Sequence, residues 1–265
     1  MNETELMLTT ILGCERHQLY VRPPILNPDQ KRLLTEMEKR RQGNEPLQYI
    51  LGSTRFLDFD LKVREGVLIP RPETELLVDA VIKEAKTSSR YPRRILDLGT
   101  GCGNIAISLA HYFSESHVTA LDISSQAIEL ALENARVHGV VDRITYKKQC
   151  FMEFLNRTFP QEDMFDIIVS NPPYVAEKEM ESLPLDVKRE PREALAAGPQ
   201  GFRLIKPIIE NAGRALVTGG ILAIEFGDGQ LPHIKEIFGQ AGYYGPINFG
   251  RDYTLSPRYV IARKR

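Results

Sequence analysis

The sequence predicts an α/β fold, a doubly wound parallel sheet preceded by a smaller helical region. Three observations carry this. From Arg93 onward, short apolar runs rich in Val, Ile and Leu alternate with stretches of helical length, the signature of successive βαβ units. A glycine-rich turn, Gly99-Thr100-Gly101-Cys102-Gly103, separates the first such run from its helix. Before about residue 85, helical patterning dominates instead. The expected division is a helical N-terminal domain with a β-hairpin linker over residues 1–88 and an α/β domain over residues 89–265.

In chain order, Leu6, Leu8, Ile11 and Leu12 form a first helical stripe. Asn27-Pro28 opens the clearest N-terminal helix, because Asn caps and Pro suits the first helical position. Its expected apolar face is Leu33, Leu34 and Met37, and Gly43 is placed to end it. A short helix over Pro46 to Leu51 ends at Gly52. Phe56, Leu57, Phe59, Leu61 and Val63 around Asp58 and Asp60 predict a hairpin. Pro70-Arg71-Pro72-Glu73 turns into a helix from Thr74 to about Lys86, and Thr87 to Arg90 reads as a polar link.

The seven expected strands cover Arg94 to Leu98, His117 to Asp122, Arg143 to Gln149, Phe165 to Ser170, Gly220 to Phe226, Tyr243 to Phe249 and Ser256 to Ala262. Helices are expected over Ile105 to Tyr112, Ser124 or Ser125 to His138, Phe202 to Val217 and Leu231 to Phe238. A long loop rich in Glu and Pro follows Tyr174.

Composition narrows the function classes. The chain has 265 residues, 42% hydrophobic and 26% charged, with a net charge of −1. That balance supplies no basic field for nucleic acid. The clusters Lys39-Arg40-Arg41 and Arg263-Lys264-Arg265 read as solvated faces. Cys14, Cys102 and Cys150 are far apart and suit a reducing compartment. His17, His111, His117, His138 and His233 have no ligand spacing, so no metal is expected. The N-terminus, Met1-Asn2-Glu3-Thr4-Glu5, is unlike a signal peptide, and no apolar run approaches a membrane span. A cytoplasmic monomer is the expectation.

Two motifs carry chemistry. In the glycine loop, residues without Cβ let backbone approach a ligand, and the helix beyond offers free N–H groups to an anion. Asp122 ends the next strand about 20 residues on, the place for a carboxylate that binds a ribose. A dinucleotide and S-adenosylmethionine both suit such a turn. The spacing G-x-G-x-G departs from the dinucleotide pattern G-x-G-x-x-G, and Asp97 suits the methionine ammonium, so S-adenosylmethionine is preferred. The second motif is Asn171-Pro172-Pro173-Tyr174, directly after the apolar run Phe165 to Ser170. Neither proline can donate to a ladder, so the strand must end in a stiff loop at the sheet's carboxyl edge, where ligands bind.

Asp-Leu-Gly-x-Gly-x-Gly followed by Asn-Pro-Pro-Tyr resembles the class I S-adenosylmethionine-dependent methyltransferases that modify planar nitrogen. Glu45 to Gly52, Leu68 to Glu75, Glu190-Pro191-Arg192 with Ala194, Leu195 and Gly198, and Gly250-Arg251-Asp252 extend the resemblance to the protein glutamine N5-methyltransferases of the HemK/PrmC type. It covers nearly the whole chain and implies a seven-stranded Rossmann-like sheet. It also implies that Gly99, Thr100, Gly101, Cys102 and Gly103 line the cofactor, that Asp122 binds its ribose, and that Phe151 lies beside its adenine; a core role for Phe151 is the alternative. Asn171 would touch cofactor and substrate, while Pro172, Pro173 and Tyr174 hold the glutamine amide. Cys150 stands where relatives often carry Asp, and Cys102 where they often carry Ser.

An amide nitrogen is a poor nucleophile because its lone pair is delocalised. Acceptors at the Asn171 side-chain oxygen and the Pro172 carbonyl would aim that lone pair at a methyl donor, with Tyr174 packed on the amide plane. The implied substrate is the glutamine of the Gly-Gly-Gln loop of peptide chain release factors. A ribosomal-protein glutamine is the sister alternative, and a DNA or RNA adenine a more distant one. An adenine enzyme must flip a base and grip a backbone, and this chain has neither the charge nor a basic target-recognition domain. A non-enzymatic scaffold that binds S-adenosylmethionine would not need Asn171 and Tyr174.

Overall fold

The computed structural model describes residues 2–21, 23–88 and 90–265. Ser89, in the expected polar link, lies outside them. The N-terminal helices are α1 (Glu3–Leu12), α2 (Arg16–Val21), α3 (Pro28–Gln42) and α4 (Leu47–Leu51). Asn27 caps α3 in a reciprocal box with Gln30, 2.8 Å from its amide, so two donors at that helix end are satisfied. Met7, Met37 and Ile50 form a small core of their own, flanked by Ile11, Leu34, Leu47 and Leu51. Leu33 belongs to no such face; it is exposed, because α3 presents only a narrow stripe to α1 and α4.

A hairpin follows, β1 (Ser53–Phe56) and β2 (Phe59–Lys62), then α5 (Pro72–Lys86). Within the segment 1–88, helices α1, α3 and α4 share a core separate from the sheet. Phe56, Phe59 and Leu61 of the hairpin, and Leu77, Val78, Val81, Ile82 and Ala85 of α5, join the large core against the sheet. Apolar positions recurring at helical spacing on α5 give it a face that only the sheet is large enough to cover.

The remaining strands are β3 (Arg94–Leu98), β4 (His117–Asp122), β5 (Ile144–Lys148), β6 (Phe165–Ser170), β7 (Leu216–Glu225), β8 (Tyr244–Arg251) and β9 (Pro257–Lys264). They form one 7-stranded sheet in the order β5-β4-β3-β6-β7-β9-β8. Pairings from β5 to β7 are parallel, and β9 joins β7 and β8 antiparallel. The sheet is doubly wound. Ile95, Val118, Ala120, Ile167 and Val169 face α5, α6 (Asn104–Tyr112) and α7 (Ser125–Val137). Their neighbours Leu96, Leu98, Leu121 and Ile168 face α8 (Phe151–Leu155), α9 (Ile205–Ala215) and α10 (Leu231–Ala241). This alternation is the two-residue period of a strand buried on both faces.

Strand order reverses at β3, which β4 flanks on one side and β6 on the other. That topological switch opens a crevice beyond the carboxyl ends of β3 and β6. Helix α9 is shorter than its apolar pattern suggests, because Leu216 and Val217 already belong to β7. No helix among the described residues is long and apolar enough to cross a membrane.

Removing one side chain from a core built on three buried residues should unfold it locally. Met37→Ala, at about 2–5 kcal/mol for a buried Met, is expected to abolish hydrogen-exchange protection across α1, α3 and α4. The melting transition of the sheet should shift little; protection retained in α3 would contradict this division of the core.

Candidate active site

The glycine loop is built by its own backbone. Gly99 and Thr100 both donate to the Leu121 carbonyl at 2.9 Å, and Gly103 donates to Thr100 at 2.8 Å. Gly99 and Gly101 have φ of 76° and 56°, a left-handed conformation that favours glycine. A Cβ at either would meet no protein atom within 4 Å, so both face open space. Gly103 is different: a Cβ there would lie 3.0 Å from that of Ala131. Its role is close packing of α6 on α7. Cys102 is buried in the core, and burial pushes its thiol up to about 12. Only its backbone is available to a ligand.

Asp122 holds the loop in place. One carboxylate oxygen accepts from the Gly101 amide at 3.0 Å, the other from Ser124 at 2.9 Å. Each oxygen keeps a second lone pair, which leaves acceptor capacity for a diol. Burial raises its pKa, against those same amide bonds. Asp97, at the adjoining end of β3, is fully buried, and neither carboxylate oxygen has a hydrogen-bond partner; the hydroxyl of Thr100 is likewise unpartnered. Burial pushes Asp97 up to about 7; the Thr100 hydroxyl and the Ala106 amide, close by but short of full hydrogen-bond geometry, pull the other way, and the charge of Asp122 adds to the rise. Unpartnered buried acceptors of this kind are rare in native proteins. Beside two open glycines, they fit a ligand that brings a cation.

Asn134, unforeseen from the sequence, braces the loop from α7. Its Nδ2 donates to the Cys102 carbonyl at 2.9 Å and to the Lys62 carbonyl at 3.1 Å. Its Oδ1 accepts from the Lys62 amide at 2.9 Å. A buried Asn on an otherwise apolar helix face was the available signal.

The tetrapeptide leaves β6 at the switch. Ser170 Oγ donates to the Leu98 carbonyl at 2.7 Å, which ties the two motif-bearing strand ends together. Asn171 Nδ2 donates to Thr74 Oγ1 at 2.9 Å. Thr74 donates to Glu225 Oε2 at 2.6 Å, and the Tyr174 hydroxyl donates to Glu225 Oε1 at 3.2 Å. Thr74 and Glu225 are both fully buried. Burial pushes Glu225 up to about 7, while the bonds from Thr74 and Tyr174 pull the other way. Burial and the Glu225 charge raise the Tyr174 phenol. A charged residue inside the apolar run Ile221 to Phe226 was the sequence signal for Glu225.

Beyond Tyr174 the chain folds back as a wall. Val175 donates to Leu195 at 2.9 Å, and Ala197 to Val175 at 2.8 Å. A cavity of about 170 Å³ results, lined by Asn171, Pro172, Pro173 and Tyr174, by Leu183 and Leu195 of the returning loop, and by Leu68 and Arg71. Arg71 is ion-paired with buried Glu190 at 2.6 Å, and the Ile69 amide donates to the same carboxylate at 3.0 Å. Helix α3 supports the loop from outside through Arg41 to Asp186, at 3.4 Å. Phe151 starts α8 as a buried member of the core beside Leu98 and Leu121.

A family model described as a methyltransferase domain matches residues 92–242, and one described as a PrmC N-terminal domain matches residues 1–52. The release factor glutamine methyltransferase of Thermodesulfovibrio yellowstonii is 35% identical over 265 residues, spanning 100% of this chain and 92% of that protein. That of Coxiella burnetii is 38% identical, over 99% and 91%. The chain belongs to the release factor glutamine methyltransferase family. Among solved structures, a methyltransferase from Pyrococcus furiosus superposes with a TM-score of 0.55 at 19% identity, over 87% of this chain and 98% of that one. At that identity it bears on the fold alone. Within the family frame, the glycine loop and the tetrapeptide meet at neighbouring strand ends, while Phe151 sits in the core between α8 and the sheet.

Asp122→Asn replaces an acceptor-only group by one that presents a donor to an amide. A hydrogen bond to a charged acceptor contributes about 1.5–3 kcal/mol. Amide exchange at Gly101 or Ser124 is therefore expected to accelerate roughly tenfold or more, with α6 and β4 unaffected. Unchanged exchange at both would remove Asp122 from the loop's support.

Proposed function

We propose that this chain transfers a methyl group from S-adenosylmethionine to the side-chain amide nitrogen, N5, of the glutamine in the Gly-Gly-Gln motif of peptide chain release factors. The observation that carries the reading is the Ser170 to Leu98 hydrogen bond of 2.7 Å. It couples the end of the glycine loop's strand to the strand that delivers Asn171, so donor and acceptor sites share one crevice.

The cofactor supplies an electrophilic methyl on a sulfonium. Gly99 and Gly101 admit it closely, Asp122 has lone pairs for its ribose, and Asp97 offers an unpartnered carboxylate for its ammonium. Thr100, Cys102 and Gly103 complete the loop, Cys102 through backbone alone, and Phe151 backs the adenine side. At the acceptor, the Asn171 side-chain oxygen and the Pro172 carbonyl take the two amide hydrogens. Fixing both holds the nitrogen's lone-pair face toward the methyl group, and the acceptors stabilise positive charge as it develops. Pro173 stiffens the turn and Tyr174 packs on the amide plane.

The N-terminal helices, with their own core and their contact to the returning loop, are read as the grip on the protein substrate. The enzyme acts as a cytoplasmic monomer without nucleic-acid contact. A net charge of −1 supports that reading.

The test pairs purified protein with labelled S-adenosylmethionine and, separately, release factor, ribosomal protein and DNA, with the label located by mass. Label is expected on the Gly-Gly-Gln glutamine. Asn171→Ala is expected to lower turnover by about 100-fold or more with cofactor binding largely retained. Label on adenine, or wild-type turnover in the variant, would refute the reading.

A further inference from the structure

We infer that Thr74 and Glu225 are positioning residues that set which atom of the Asn171 amide faces the acceptor nitrogen. This rests on the function proposed above and extends it to residues outside the tetrapeptide. A threonine hydroxyl has one hydrogen to donate, and an ionised carboxylate only accepts. Thr74 Oγ1 lies 2.6 Å from Glu225 Oε2 and 2.9 Å from the Asn171 amide. With Glu225 ionised, the hydroxyl hydrogen goes to the carboxylate. Thr74 can then meet Asn171 only as an acceptor, so Nδ2 must turn to Thr74 and Oδ1 is left for the substrate amide.

Protonating Glu225 reverses the chain. The carboxyl donates to Thr74, whose own hydrogen turns to Asn171 and draws Oδ1 inward. The side-chain NH₂ then faces the substrate NH₂, donor against donor. The two arrangements differ by one proton, and only in the ionised one does the Asn171 side chain accept a hydrogen from the glutamine. Tyr174 also donates to Glu225, at 3.2 Å, so one carboxylate orients both polar side chains of the tetrapeptide.

The groups facing Glu225 come from several elements. Glu73, on α5 with Thr74, raises its proton affinity, as burial does; Arg258 at the start of β9 lowers it. Arg258 is itself held by Asp252 at 2.8 Å, and Arg71, near Tyr174, is held by Glu190 at 2.6 Å. Burial dominates and leaves the carboxyl at about 7. The sign follows. The competent, ionised form grows as pH rises through that value, so turnover rises with it and is lost below. Folding runs the other way: a carboxyl whose folded pKa is raised above 4.5 favours the native state when protonated, and that contribution is lost as pH rises towards about 7.

The experiment compares wild type, Glu225→Gln, Thr74→Val and Thr74→Ser, using purified release factor and S-adenosylmethionine. Steady-state kinetics are taken across the neutral range, with melting and cofactor binding as checks of the fold. Glu225→Gln and Thr74→Val are expected to keep cofactor affinity within about twofold and to lower kcat by roughly 10- to 100-fold, with little change in KM. The limb near neutral pH should vanish in Glu225→Gln, and Thr74→Ser should restore most of kcat. Should Glu225→Gln not fold, Thr74→Val against Thr74→Ser decides alone. Folded Thr74→Val with wild-type kcat, or a limb that persists in Glu225→Gln, overturns the inference.

A readout without substrate separates this from the function itself. The Asn171 side-chain NH₂ resonance, assigned by its loss in Asn171→Ala, should titrate near neutral pH in wild type and not in Glu225→Gln. That titration in a protein that methylates no glutamine would refute the proposed substrate and leave the positioning standing. A flat titration in an active enzyme would refute the positioning.

Discussion

The pairing of β3 with β6 is the contact on which the rest of the site depends. The two strands are distant in sequence and run parallel in register, with Leu98 opposite Ser170. Register in a sheet is discrete: a slip of one residue would turn each side chain to the other face. Both strands are apolar on both sides, so burial holds the register firmly. The Ser170 hydroxyl then closes onto the Leu98 carbonyl. The glycine loop and the Asn-Pro-Pro-Tyr turn are stiff, yet their relative position comes from this pairing and from neither motif by itself.

The segment from Ile69 to Glu75 crosses this arrangement as a strap. Ile69 and Arg71 hold Glu190 on the returning loop, Thr74 holds Asn171, and Glu75 accepts from the Leu57 amide of the hairpin at 3.1 Å. Pro70 and Pro72 restrict the backbone between these contacts. One short stretch thereby fixes three otherwise separate loops. Its hydrogen bonds are buried or half-buried, where a lost partner is expensive. The motif is a fastening for the site, and its Arg71 also lines the cavity beside the tetrapeptide.

Much of this was legible in the sequence, for definite reasons. Strands buried on both faces leave continuous apolar runs, so β3, β4 and β6 could be read to the residue. Asn27 and Gly52 marked helix ends because capping and left-handed turns require such residues. The glycine loop and the tetrapeptide are local, and local motifs survive translation into one dimension. Thr74, Asn134, Glu190 and Glu225 were not legible as site residues. Their roles are pairings across 32 to 151 positions, and separation of that size leaves no periodicity to read. The packing of α5 was missed for a related reason: its apolar stripe says that a partner exists without saying that the partner is the sheet. Leu33 illustrates the reverse error, since an apolar residue at the right spacing can still face solvent.

The unpartnered carboxylate of Asp97 has a consequence beyond geometry. Burial pushes this carboxyl up to about 7, so it holds a proton more readily than an exposed aspartate. A cation placed beside it favours the ionised form, so filling the cradle expels that proton to solvent. Occupancy and pH are then thermodynamically linked: the heat of binding depends on the buffer that takes up the proton, and acid competes with the ligand without touching its surface.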